Sequence, residues 1–176
     1  MVVAQAIGWI AMLSALIRFQ MKTARQIRFM NIITAGIFGF HYLLLGGLSG
    51  AILCWIGSAR SSLLMSKALW RYKLYIVIAS LVLCSVVSFF IYESWIDLLP
   101  LFGLYFGTLM DAQHKAMRMR GFAVMSQCCW LIYNILVGSH GGMVSASLSV
   151  SSNIIGFWRH QLWPYLKTRD KRYFDI

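Results

Sequence analysis

The stretch Val2-Val-Ala-Gln-Ala-Ile-Gly-Trp-Ile-Ala-Met-Leu-Ser-Ala-Leu-Ile17, followed at once by Arg18-Phe-Gln-Met-Lys22-Thr-Ala-Arg25-Gln-Ile-Arg28, decides the fold. An apolar run without a charge ends in four basic residues and no acidic one. About 20 apolar residues cross a bilayer, and about 17 suffice for a helix near the normal. Working outward, the same unit recurs: residues 2–19, 29–46, 51–66, 74–92, 94–110, 121–138 and 141–158 are apolar. The clusters Arg18/Lys22/Arg25/Arg28, Arg60/Lys67/Arg71/Lys73, Lys115/Arg118/Arg120 and Arg159/Lys167/Arg169/Lys171/Arg172 fall at alternate connections and at the C-terminus. The other connections, 46–50, 93–97 and 138–142, hold no Lys or Arg. All sixteen basic residues thus lie on one side once the runs are read as spans. The positive-inside rule then puts the N-terminus outside and the C-terminus in the cytoplasm. An even helix count would break the alternation. The pattern predicts an all-α membrane protein with seven transmembrane helices.

Composition narrows the function classes. A formal charge of +11 suggests nucleic acid, but the charges are split among short loops, and a nucleic-acid domain gathers them on one face. Nucleic acid is therefore excluded as a partner, and the lipid bilayer is the expected one. Each basic residue near anionic headgroups adds about 1 kcal/mol of attraction. A cleavable signal peptide is not expected, because the first apolar run has no basic residue before it. The tail, residues 159–176, carries Trp163, Tyr165, Tyr173 and Phe174 among its basic residues and is expected on the cytoplasmic membrane surface. Cys54, Cys84, Cys128 and Cys129 all fall within spans and lack disulfide or zinc spacing, so they read as buried packing residues. No metal, cofactor or catalytic residue is expected. HExxH, paired membrane carboxylates and a nucleophile elbow are all missing, and the only acids near spans are Asp97 and Asp111 at their ends. So few acids argue against a carboxylate proton relay, and any transport would be facilitation.

The chain divides into two similar units. A constant shift of 92 residues overlays the first three spans (2–66) on the last three (94–158), leaving 74–92 as a lipid-facing connector and 159–176 as the tail. Ala11 and Ala15 fall on Gly103 and Gly107, small residues that let helices approach closely. Arg28 falls on Arg120, Phe38 on Trp130, His41 on Tyr133, Gly46 on Gly138, and Gly50 on Gly142. One connector between two three-helix bundles makes them parallel, a 3+1+3 layout known among transporters. Pro100 opens the fifth span opposite Gly8, as a kink pair or as plain tolerance near a helix end.

The run Gln20-Met-Lys with Arg25 and Arg28, then Phe40-His-Tyr-Leu-Leu-Leu-Gly-Gly47, then Ala59-Arg60-Ser61, resembles the bacterial inner-membrane YgjV family. So do Trp130-Leu-Ile-Tyr-Asn134, Val137-Gly-Ser139 and the ending Ser152…Gly156-Phe-Trp-Arg159. The resemblance covers about residues 6 to 160 and implies residence in the inner membrane. The layout in turn resembles that of SWEET and PQ-loop membrane proteins. The Pro-Gln pair that names the latter is absent, since Leu101 follows Pro100 and Trp9 follows Gly8. Their transport of sugars or amino acids is therefore not carried over by residue.

Polar residues inside spans mark the candidate site. Arg60 lies about two turns from the inner end of its span, where translocon scales assign a mid-membrane Arg about +2.5–3.5 kcal/mol. It snorkels, or it serves as a gate with Asp111 or as an anion contact. The seventh span carries Ser145, Ser147, Ser149, Ser151, Ser152 and Asn153, which read as a wet face or as tight polar packing. The shift sets Asn153 opposite Ser61. Phe38 and Tyr42 share a helix face, as do Trp130 and Asn134, and an aromatic beside an amide suits a small polar solute. His41 reads as a neutral ring bonded to a neighbouring helix or as a protonation and gating site. The expected substrate contacts are thus Phe38, Tyr42, Ser61, Trp130, Asn134 and Asn153. The expected function is facilitated passage of a small polar solute. The rival is a non-transporting receptor or a lipid- or partner-binding protein on the same scaffold.

Overall fold

Each of the seven apolar runs becomes one α-helix. The structure is a computed structural model that describes residues 2–20, 24–112, 116–158, 163 and 166. Its helices are α1 (Val2–Gln20), α2 (Ala24–Leu44), α3 (Leu48–Met65), α4 (Lys73–Phe90), α5 (Leu98–Ala112), α6 (Ala116–Val137) and α7 (His140–Phe157). Single 3-10 turns, Trp70–Tyr72 and Trp95–Asp97, lead into α4 and α5. Lys22, Lys115 and nearly all of the basic tail lie outside the described residues.

Helix ends differ from the apolar boundaries for physical reasons. α2 and α6 start several residues before their apolar runs because Arg, Gln, Met and Ala are good helix formers. α5 starts later than its run. Ser94 and Asp97 form a reciprocal cap, with the backbone N–H groups of Glu93 and Ser94 donating to Asp97 Oδ2 at 3.1 and 3.0 Å. Pro100 then sits in the first turn of α5, where a missing N–H breaks no helical bond.

The turns α2–α3 and α6–α7 are built alike. Gly46 (φ 80°) and Gly138 (φ 70°) adopt the left-handed conformation that ends a helix, which costs a side-chain-bearing residue steric strain. The following N–H groups, of Gly47 and Ser139, donate to the carbonyls of Tyr42 and Asn134, both at 2.9 Å. We call this end of the molecule the turn end, and the opposite one, where the Lys/Arg-rich connections lie, the basic end.

Six helices form a closed circuit. α1 packs on α2 and α7, α2 on α3, α3 on α5, α5 on α6, and α6 on α7, while α4 stands outside against α3 and α5. α4 buries one stripe, Val77, Ser80, Cys84 and Ser88, and exposes Leu74, Tyr75, Ile78, Val82, Leu83, Val86, Phe89 and Phe90. An apolar exterior of that extent marks a surface that meets lipid or another protein. By length and apolarity alone, two helical runs qualify to cross a membrane, Leu48–Met65 and Trp70–Phe90; Val2–Ile17 and Gly121–Val137 are shorter apolar stretches.

Small residues sit at the close contacts, with two corrections to the sequence reading. Ala11 and Ala15 are buried, and a Cβ on Gly103 would come within 2.8 Å of the Trp130 ring. Gly107 is no seam, because a Cβ there would only touch Ser126 at 3.5 Å and the residue faces a cavity. Cys54 and Cys84 are buried packing residues, but Cys128 is exposed and Cys129 half-buried. Cys128 points out from the bundle, a direction that apolarity alone does not reveal.

Candidate solute cavity

The six helices of the circuit line a cavity of about 150 Å³. At the side nearer the turn end stand Tyr42 and Asn134, both 2% exposed, with the Tyr42 hydroxyl donating to Asn134 Oδ1 at 2.9 Å. Asn134 Nδ2 donates to the Trp130 carbonyl at 2.7 Å, so the amide is held from both ends. Phe38, Tyr42 and Trp130 form a slab of near-parallel rings, each neighbour 5.7 Å away and tilted by 18° and 12°. Such offset stacking adds about 0.5–1.5 kcal/mol per pair beyond the area buried.

Behind this slab the turn end is tied by a neutral network. His41 Nδ1 donates to the Ala4 carbonyl at 2.7 Å, which fixes the proton on that nitrogen. Nε2 then accepts from the Ser139 hydroxyl at 2.7 Å, and Ser139 Oγ accepts from the N–H of Gly142 at 3.1 Å. Both ring nitrogens are therefore satisfied by other helices, and His41 does not line the cavity. Tyr133 stands beside it, its hydroxyl accepting from the N–H of Gly50 at 3.1 Å.

Toward the basic end the wall becomes ionic. Arg60 is 4% exposed; its Nη2 donates to Asp111 Oδ2 at 3.0 Å, joining α3 to α5. Nη1 donates to Thr108 Oγ1, whose own proton goes to the Leu104 carbonyl at 2.7 Å. Nε finds no partner among the described residues. Asp111 is half-buried, so it is the loss of Asp111 that strands a buried charge, at about 3–5 kcal/mol. Of the two sequence readings of Arg60, the geometry is that of the Asp111 pair.

Phe38, Tyr42, Arg60, Trp130 and Asn134 line the cavity, but Ser61 and Asn153 do not. Ser61 lies behind Asn31, whose Nδ2 donates to its hydroxyl at 3.2 Å. Asn153 turns back on its own helix and donates to the Ser149 carbonyl at 2.8 Å. The expected wet face of α7 is likewise split: Ser145 lines the cavity, Ser149 is buried beside it, and Ser147, Ser151 and Ser152 are exposed on the outside. Sequence reasoning missed Asn31, Thr34 and Gln127, whereas Ser145 belonged to the expected wet face. A signal existed for all three. Asn31, Thr34, Phe38 and Tyr42 lie at helical spacing, and so do Gln127, Trp130 and Asn134.

An apolar exterior around a polar-lined interior is the plan of a helical membrane protein. The chain belongs to the Imp-YgjV family, described as a bacterial inner membrane protein, whose profile matches residues 2–162. It is 29% identical over 162 residues to inner membrane protein YgjV of Escherichia coli (strain K12), covering 90% of this chain and 86% of that one. No solved structure matches it.

Proposed function

We propose that this protein is a facilitator of a small polar solute, working by rocking of two parallel three-helix halves, α1–α3 and α5–α7, about the central cavity. In this reading all seven helices cross the bilayer, α4 is the connector, the N-terminus is outside and the C-terminus cytoplasmic. One observation carries the reading: the cavity is lined by residues offset by 92 positions. Ala15 is matched by Gly107, Asn31 by Ala123, Thr34 by Ser126, Ala35 by Gln127, Phe38 by Trp130, Tyr42 by Asn134, and Cys54 by Ala146. A site shared by equivalent faces of two repeats is what alternating access requires. The size, about 150 Å³, agrees with a small solute.

The test is access. A cysteine replacing Gln127, in a background without the four native cysteines, should react with a small charged thiol reagent applied from the cytoplasmic side. A cysteine at the outward-facing Ile132 serves as the unreactive, lipid-buried control. Gln127→Cys remaining inert from both sides would end the solute reading. The non-transporting rival would gain if Gln127→Cys reacts while no tested solute crosses proteoliposomes.

A further inference from the structure

We infer that the solute is hydrogen-bonded by the second half alone, through the Gln127 amide, the Trp130 indole N–H and the Ser145 hydroxyl, and that it is an uncharged molecule bearing both donors and acceptors. The inference rests on the solute-cavity reading above. These three side chains line the cavity, and their polar atoms have no hydrogen-bond partner among the described residues. The side-chain atoms there that are both unpartnered and sealed are Arg60 Nε, Ser88 Oγ and Ser149 Oγ. The three groups on α6 and α7 are therefore open, although Ser145 as a residue is only 7% exposed. Gln127 and Trp130 share one face of α6, a turn apart. Counted inward from Gly138 at 1.5 Å per residue, Trp130 and Ser145 lie roughly level, and Gln127 about 5 Å further toward the basic end. A small molecule can reach all three.

The first half offers no such group. Its polar lining side chains are engaged: Asn31 with Ser61 at 3.2 Å, Thr34 with Ser14 at 2.9 Å, and Tyr42 with Asn134 at 2.9 Å. The positions 92 before Gln127, Trp130 and Ser145 are Ala35, Phe38 and Leu53, all apolar. The two repeats thus share the shape of the cavity but not its free hydrogen bonds. Charge is committed as well, since Arg60 is bonded to Thr108 and to Asp111 at 3.0 Å. An ion leaving water needs an opposite charge that is free to meet it, and these walls offer an amide, an indole and a hydroxyl. The indole N–H only gives, whereas the amide and the hydroxyl both give and receive. Their complement is a neutral solute with an acceptor for Trp130 and mixed groups for the other two. As the halves rock, such a solute travels with α6 and α7 and slides past the apolar wall at Phe38.

The full chain in lipid nanodiscs tests this with probes of similar size: acetamide and glycerol as neutral molecules, acetate as the anion and ethylammonium as the cation. Acetamide or glycerol should raise the melting temperature saturably, and the two ions should not at equal concentration. Gln127→Met, Trp130→Phe and Ser145→Ala should each weaken that binding about three- to tenfold, the worth of one hydrogen bond. Thr34→Val removes a hydroxyl already engaged by Ser14, so it should weaken binding less than Ser145→Ala does. Without any probe, Gln127→Met and Ser145→Ala should melt no lower than the parent, because neither loses a partner within the protein. A lower melting temperature for either would show that the group is engaged inside the protein, and the inference is overturned. It is overturned too if Thr34→Val weakens binding as much as Ser145→Ala, or if either ion stabilises as strongly as the neutral probes. No effect of any probe on a protein whose Gln127→Cys form reacts has the same consequence, and in all these cases the cavity reading stands. An inert Gln127→Cys removes both readings at once.

Discussion

The two ends of the cavity are held by different chemistry. At the turn end, the bonds between α1–α3 and α5–α7 are neutral and largely buried. Gln5 Nε2 donates to the Gly138 carbonyl at 2.7 Å, His41 meets Ser139 at 2.7 Å, Tyr42 meets Asn134 at 2.9 Å, and Gly50 meets Tyr133 at 3.1 Å. Toward the basic end, among the described residues, the groups are joined through Arg60 to Thr108 and Asp111. Neutral bonds of this kind open only together, each leaving an orphaned buried group worth about 1–3 kcal/mol. The ion pair, in contrast, leaves a buried guanidinium charge behind when it opens. The difference teaches that one end is held by several neutral bonds acting together and the other by charge.

The sharpest way to break the comparison is to strand a charge. Asp111→Ala should lower stability by about 3–5 kcal/mol, because the Arg60 guanidinium stays buried. Arg60→Met combined with Asp111→Leu should recover most of that loss, since an apolar pair replaces a buried ion pair at little cost. Thermal melting in one detergent compares them, and a double variant as unstable as the single would show that the basic end is structural glue. Next in size is His41→Ala, which takes away the acceptor of the Ser139 hydroxyl and leaves a ring-sized void against Gly8. A loss of about 3 kcal/mol is expected. Wild-type melting for this variant would remove the claim that the turn end is the firmly held one. The smallest test contrasts two glycines one turn apart. Gly103→Leu collides with Trp130 and should cost about 1–3 kcal/mol. Gly107→Leu projects into the cavity, so it should leave melting nearly unchanged while slowing thiol labelling of a cysteine at Gln127. Equal melting losses for both would mean that the cavity wall at Gly107 is as tight as the seam at Gly103.

The helix count was legible because it rests on length and charge. A run of apolar residues closed by Arg18 to Arg28 has few alternatives to a helix ending at a polar boundary. The cavity was legible in part, through the same shift that pairs Phe38 with Trp130 and Tyr42 with Asn134. It failed at Ser61 and Asn153 for a specific reason. A polar side chain in an apolar helix can satisfy itself locally, as Asn153 does on the Ser149 carbonyl, so polarity alone does not say which way a residue faces. The Nε of Arg60, unpartnered among the described residues, was invisible to sequence for the converse reason. It depends on where Thr108 and Asp111 arrive from another helix.

Tyr42 and Asn134 are 92 positions apart, and they touch. In an assembly of two identical chains, a residue at the twofold axis faces its own copy, because such an interface is isologous. A phenol would then meet a phenol, and an amide an amide. A hydroxyl giving its proton to an amide oxygen, which can only receive, is open to a single polypeptide whose corresponding positions are free to differ. Joining the units in one chain thus permits a directional bond at the one place where identical partners would be obliged to match.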